Sequence, residues 1–374
     1  MSQIGFGSRI RKSPFFDSTI EAGAAAFTIY NRMYMPVSYG NPDAEYELLT
    51  TAVALWDVAA ERQVEIVGPD AKALVQYLSA RNLESIKPGV ARYAPLCDHN
   101  GVLINDPIVV CVNPDRYWLS IADSDVLLWV RAVAGERGDN VDVFEPDVSP
   151  LAIQGPLAEQ LMADLVGPEM VAGLGFFKHC FAEIQGIPFV LCRSGWSKQG
   201  GFELFLTDGT RGNELWSIVM DAGEKYGIGP GTPNQQERIE SGLLSYGSDH
   251  LRDATPLEVG LGAFVSLDND IDFIGKAALL ADRSGQSGRR PRRLVNVDIN
   301  GPAISNTHPW PLTRGGVPVG ELRNMVWSPR LQRSIGLAFV DAVAAEPGTV
   351  LSAQAEWQTL EAVVSGQPFG DPRA

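Results

Sequence analysis

The stretch Arg193–Phe205, RSGWSKQGGFELF, concentrates more chemistry than any other part of this chain. A lone carboxylate, Glu203, stands among apolar, β-prone residues, and ahead of it come Trp196, Lys198, Gln199 and three glycines. A carboxylate in a strand can accept two hydrogen bonds in a fork, which suits an amidine-like pair of N–H donors. The face of an aromatic such as Trp196 attracts soft, poorly hydrated cations at ~0.5–2 kcal/mol per contact. Lys198 can pair with an anionic group. The bland alternatives are a solvated Glu, a core Trp and a solvated Lys. Gly200 and Gly201 interrupt the strand pattern, which implies a bent backbone or a close approach to it.

Two further places carry polar groups of interest. Asn105-Asp106-Pro107 is a strong turn former, and it sets a carboxylate, Asp106, between two apolar runs. Arg238 opens a helical pattern; it suits bidentate binding of a ligand carboxylate, or a buried pair with Glu240 or Glu237. Other chemistries are disfavoured. Four histidines show no metal-ligand spacing and no carboxylate cluster replaces them, so no metal is expected. No Ser–His or Cys–His nucleophile motif is present. The Gly260–Gly262 run lacks the third glycine and the preceding strand of a dinucleotide fingerprint. A net charge of −15 argues against nucleic acid and against an anionic membrane surface. The apolar runs are too short to span a bilayer. Without CxxC spacing or an apolar leader, Cys97, Cys111, Cys180 and Cys192 read as reduced thiols of a cytoplasmic protein, Cys111 and Cys192 in the core.

The elements that must position these residues alternate irregularly. Strands are expected at Gln63–Val67, Tyr117–Ile121, Ile184–Arg193 and Phe202–Leu206, and two more within Val102–Val112, broken at Asn105–Pro107. Helices are expected at Ala71–Leu78, Val126–Val133 (N-capped by Asp123 or Ser124), Pro156–Leu165 and Asn213–Tyr226. No regular parallel βαβ rhythm emerges, so the class is α+β. Asp282–Arg293 (DRSGQSGRRPRR) reads as a solvated hinge, and the short strands beyond it as a small β-barrel or sandwich.

Longer blocks carry a resemblance. WDVAAERQVEIVGPDA (Trp56–Ala71), YAPLCDHNGVLINDPIVV (Tyr93–Val110), SPLAIQGP (Ser149–Pro156), RIESGLLSYGSD (Arg238–Asp249), TPLEVGLGAFVSLDNDIDFIGKAAL (Thr255–Leu279) and SPRLQRSIGLAFV (Ser328–Val340) follow one another in order. With RSGWSKQGGFELF they resemble the glycine cleavage T-protein (aminomethyltransferase) family. ERQVEI, INDP, WLSIADSD, FEPDVSPLA and SGWSKQGGFE are similar to its dimethylsulfoniopropionate demethylase branch. The resemblance implies an α+β, three-lobed fold: two interwoven ferredoxin-like lobes over 1–285, binding tetrahydrofolate, and a C-terminal β-barrel over 286–374.

It also implies roles. Glu203 aligns with the pterin-binding Glu, with Phe205, Tyr93, Asp106 and Arg238 as further folate contacts. Asp106 and Trp196 are the catalytic expectations, and Trp196, Lys198, Tyr30 and Phe16 those for the donor. For Tyr30 and Phe16 alone, a core role is the ordinary reading. Either Asn105 or Asp106 takes the place of the family's catalytic Asp, and Gln199 has no assigned role. The implied reaction is methyl transfer from dimethylsulfoniopropionate to N5 of tetrahydrofolate. A sulfonium leaves as a neutral thioether and needs no acid, whereas cleaving a C–N bond does. Demethylation of a methoxy-aromatic, methylated amine or betaine is the nearest alternative, then glycine cleavage. A folate-binding accessory protein is disfavoured, because DFIGK (Asp272–Lys276) stands where the iron–sulfur assembly relatives carry KGCYxGQ. A homodimer is left open.

Overall fold

The computed structural model describes residues 5–304, 306 and 308–366. The chain packs into two compact units. The first holds residues 1–75, 85–93 and 107–234; the second holds 76–84, 94–106 and 235–374.

The first unit contains two large sheets besides the two-stranded ribbon of Ala26–Tyr30 and Met33–Ser38. One runs in the order His179–Ile184, Ile187–Cys192, Gly201–Leu206, Ser149–Gln154, Val53–Asp57, Ile228–Gly231. All its pairs are antiparallel except the last, where Ile228–Gly231 runs parallel to Val53–Asp57. The other is wholly antiparallel: Asp142–Phe144, Gln63–Val67, Arg116–Ser120, Ile108–Asn113, Val90–Tyr93. The chain lays Val53–Asp57 in the six-stranded sheet, builds the five-stranded one, and only then returns with Ser149–Gln154. The α+β class expected from the irregular alternation is therefore what the chain forms.

Strand composition explains the layers. Phe202–Leu206 is buried on both faces. Phe202, Leu204 and Leu206 join a core with Leu55, Leu151, Phe189 and residues of the helices Ala158–Val166 and Gly212–Gly223. On the opposite face Phe205 meets Val190 and Cys192, together with Trp118, Val110 and Ala91 from the five-stranded sheet. Burying a side chain such as Phe205 contributes about 1.5–3 kcal/mol. Two local expectations shift. Ile184–Arg193 is a hairpin rather than one strand, turning at Gln185-Gly186 with positive φ at both residues. The helix Val126–Arg137 is flanked by Asp125, which makes no side-chain cap, and ends on left-handed Gly138.

Asp57 closes its strand fully buried, accepting from the Ser13 hydroxyl at 2.5 Å and from the Ala59 N–H at 3.1 Å. Burial pushes its carboxyl up to about 6 against these two bonds. A carboxyl whose folded pKa exceeds its unfolded value stabilises the fold below the unfolded pKa, and that stability is lost as pH rises through about 6. The window runs from about pH 4 to 6 and amounts to about 3 kcal/mol. Asp57→Asn should remove that fall, seen as a flatter denaturation free energy over this range than in the wild type.

In the second unit six strands close a barrel in the order Arg292–Asn300, Arg333–Asp341, Val317–Ser328, Trp310–Arg314, Val350–Gln354, Thr359–Ser365. Val297, Leu312, Leu322, Ala338 and Leu351 fill its interior. The segment expected to be a solvated hinge is stapled instead. Arg289 and Arg292 converge on the buried Glu258, Arg292 also reaches Asp253, and Arg290 pairs with Asp341. Arginine forks find acidic partners along the same unit, which composition alone cannot reveal.

Arg238, wholly enclosed, pairs with Asp249 at 2.7 Å. Its Nε donates to Gln235 at 2.8 Å, while Asp249 also accepts from the Ser245 N–H at 2.6 Å and from Asn324 at 2.5 Å. Glu240 accepts from Ser328 and pairs with Arg330. Removing one partner of a buried pair strands the other charge and costs about 3–5 kcal/mol. Arg238→Ala should lower the urea midpoint accordingly, an effect that an exposed control such as Arg32→Ala (paired with Asp125) will not reproduce.

Candidate active site

Glu203 sits mid-strand in the six-stranded sheet, opposite Cys192 on one side and Ala152 on the other. Only 8% of its surface is exposed. Strand alternation puts Gly201, Glu203 and Phe205 on one face. Phe205 packs there 6.1 Å from the Trp118 ring, so Glu203 stands at the rim of the apolar layer between the two sheets. The Ser194 hydroxyl donates to one carboxylate oxygen. Burial raises the Glu203 pKa, with the Ser194 bond opposing the rise. The neighbouring Cys192 thiol is pushed by burial up to about 12 and stays protonated. A buried carboxylate with one side-chain donor has capacity for a further pair of N–H groups.

The loop ahead of this strand is held by a residue the sequence reading did not single out. Gln154, buried to 1% exposure, pairs with Gly201 and extends its side chain over that glycine. Its Nε2 donates to the Ser194 carbonyl at 3.1 Å, and its Oε1 accepts from the Ser197 hydroxyl at 2.8 Å. Both glycines make room for it. A Cβ at Gly195 would lie 2.0 Å from Gln154 Nε2, and one at Gly201 would lie 2.4 Å from the Ile153 carbonyl. The close approach that Gly200 and Gly201 implied is thus the neighbouring strand at Gly201, through the Ile153 carbonyl and the Gln154 amide, while Gly200 supplies a left-handed bend, φ +84. The only sequence signal for Gln154 was an amide between an apolar run and the Gly-Pro of SPLAIQGP.

The structure distributes the expected residues unevenly. Trp196 and Gln199 are half-buried and Lys198 is exposed, all on the loop fixed through Ser194 and Ser197. Tyr93 is half-buried and shares a strand face with Ala91, which packs in the Phe205 layer. Phe16 is buried in an aromatic cluster, edge-on to Phe6 and tilted to Phe27 and Tyr34, with the Lys12 ammonium 4.5 Å from its ring. Tyr30 packs against the core on the face opposite Glu203. Neither Phe16 nor Tyr30 is among the residues packed in the layer of Phe205 and Trp118.

Asn105, Asp106 and Arg238 belong to the second unit. There Asn105 is fully buried in the short strand Leu103–Asn105, and Asp106 is half-buried just beyond it. That strand is braced by Leu96–Cys97, by the Ala254 carbonyl and by the Tyr246 hydroxyl, which donates to the Leu103 carbonyl at 3.5 Å. His250 beside Tyr246 accepts the Gly247 N–H at 3.2 Å and donates to the Leu251 carbonyl at 2.8 Å, which fixes a neutral tautomer; burial lowers its pKa.

The comparisons with known proteins agree on one family. The GCVT N-terminal domain matches residues 15–269, and the glycine cleavage T-protein C-terminal barrel domain matches residues 292–371. Dimethylsulfoniopropionate demethylase of Ruegeria pomeroyi is 40% identical over 349 residues, 93% of this chain and 94% of the relative. The aminomethyltransferase of Streptomyces coelicolor is 30% identical over 89% of this chain and 90% of the relative, and that of Bacillus subtilis 28% over 96% and 99%. The crystal structure of aminomethyltransferase T from Bartonella henselae superposes with a TM-score of 0.84 at 22% identity, covering 96% of this chain and 98% of that one. Among the described residues no helix is long and apolar enough to cross a membrane.

A methyl group at position 195 must displace the Gln154 amide, so Gly195→Ala should cost about 1–3 kcal/mol from overpacking alone. Gly200→Ala meets open space and carries only the left-handed strain, about 1–2 kcal/mol. Chemical denaturation of both variants checks the order: Gly195→Ala should be the less stable.

Proposed function

Because the chain belongs to the glycine cleavage T-protein family and is thereby a tetrahydrofolate-dependent transferase, we propose that it takes a methyl group from dimethylsulfoniopropionate and delivers it to N5 of tetrahydrofolate. The products are 5-methyltetrahydrofolate and methylmercaptopropionate. One observation carries the donor: the relative that shares most of this chain's length at 40% identity is a demethylase of that sulfonium.

The residues fit the folate. Glu203 is a desolvated carboxylate with spare acceptor capacity, and a pterin presents an amidine-like N–H edge to such a fork. Phe205 and Trp118 supply the apolar wall beside it. Tyr93 and Asp106 are assigned to the folate on the family pattern, and Trp196 and Lys198 to the donor. The Trp196 face meets the sulfonium and Lys198 its carboxylate. We assign Arg238, enclosed and committed to Asp249, to holding its segment in place. The folate-binding region is assigned to 1–285 and the barrel to 286–374.

The transfer forms an N–C bond at N5 and breaks a C–S bond, whose electron pair stays on sulfur. The thioether departs neutral, so the protein supplies no proton to it, and N5 gives up its own proton. What this chain contributes is position and a dry wall: reacting atoms held ~3–3.5 Å apart account for most of the rate in such a displacement. Purified protein mixed anaerobically with tetrahydrofolate and dimethylsulfoniopropionate should yield both products by mass spectrometry. Products from a methoxy-aromatic or a methylamine instead would assign another donor. Glu203→Gln should weaken tetrahydrofolate binding ~10–100-fold, the worth of a charge-assisted fork, by calorimetry.

A further inference from the structure

Ser194 makes two bonds that lead in different directions. Its hydroxyl donates to the Glu203 carboxylate, and its carbonyl accepts from Gln154 Nε2. The same Gln154 amide accepts from Ser197 through Oε1. The two ends of the turn Ser194–Ser197 are therefore tied to one buried amide, with Trp196 between them and Lys198 next in line. Gly195 lies directly on that amide, so the turn cannot move without moving it. On its other side the turn is anchored by Arg193, which donates to the Leu174 carbonyl at 3.2 Å, pairs with Glu159 and covers the Phe202 ring at 5.2 Å.

We propose that Gln154 and Ser197 are positioning residues that couple occupancy of the Glu203 carboxylate to the geometry of the Trp196–Lys198 segment. Ligand bonding to Glu203 redirects or tightens the Ser194 hydroxyl, and the amide transmits the shift to Ser197. The folate side then orders the donor side, and donor affinity depends on folate being in place. The inference rests on the reading that Glu203 holds the folate and Trp196 the donor.

The test uses the full chain with Ser197→Ala, which removes one end of the tie at a half-buried site, and Ser197→Thr, which restores the hydroxyl. Hydrogen exchange of the segment 194–200 is followed with and without tetrahydrofolate. Wild type and Ser197→Thr should show protection on folate binding; Ser197→Ala should lose it, with folate affinity kept within about twofold. Under steady state the methyl-donor KM should rise ~3–10-fold in Ser197→Ala with kcat moving less, the worth of one neutral hydrogen bond. Folate-induced protection that survives in Ser197→Ala, or a folate affinity that falls in parallel with the donor KM, overturns the coupling. The exchange measurement needs no methyl donor. Wild type that shows protection yet turns over no sulfonium refutes the assigned donor and leaves the coupling standing. Turnover without protection does the reverse.

Discussion

A carboxylate enclosed in an otherwise apolar strand is the constraint around which the first unit is arranged. Removing Glu203 from water disfavours its charge, and the rise in its pKa records that penalty. Little around it offsets the penalty: Ser194 donates once, and Phe205, Ala152 and Cys192 offer nothing. The same enclosure makes any N–H donor that arrives worth more than it would be at the surface. The sheet-on-sheet layer through Trp118 and Phe205 maintains the low dielectric, and the glycine-rich loop lets Ser194 come within reach.

Other buried carboxylates of the chain show what a purely structural role looks like. Glu65 takes both arms of Arg116 at 2.9 Å and the Trp118 indole N–H at 2.8 Å, so its acceptors are engaged. Asp249 is met by Arg238, Ser245 and Asn324, and Glu258 by Arg289, Arg292 and the Thr255 N–H. These groups are satisfied by the protein and bind its segments together. Glu203 differs from them in what it lacks: Ser194 alone donates to it from a side chain, and no arginine meets it.

Much of this was legible in the sequence because it follows from period and punctuation. The apolar run of Phe202–Leu206, the helix pattern of Ala71–Leu78 and the turn signals beyond Gly301 all correspond to elements of the structure. The ordered family blocks extended that reading to Glu203. What escaped was long-range pairing between polar groups. Nothing near Arg238 announces Asp249, and nothing near Arg289 and Arg292 announces Glu258. Gln154 lies forty residues before the loop it holds, and the glycines that admit it read equally well as bends. Side-chain hydrogen bonds between distant segments have no period, so they become visible only in three dimensions.

The return of Ser149–Gln154 to Val53–Asp57 has a consequence for how the molecule assembles. These neighbours are antiparallel partners, yet a whole five-stranded sheet lies between them in the chain. Closing so long a loop carries an entropic barrier that local helices and hairpins do not face, and it slows folding. The strand bearing Glu203 pairs with the returning one, so the Gln154–Ser194–Glu203 array needs that returning strand in place. During synthesis the hairpins of the inserted sheet emerge and can pair first. The Glu203 face is thus built from strands that follow the inserted sheet in the chain, and a chain stalled before they pair would expose the apolar strands on either side.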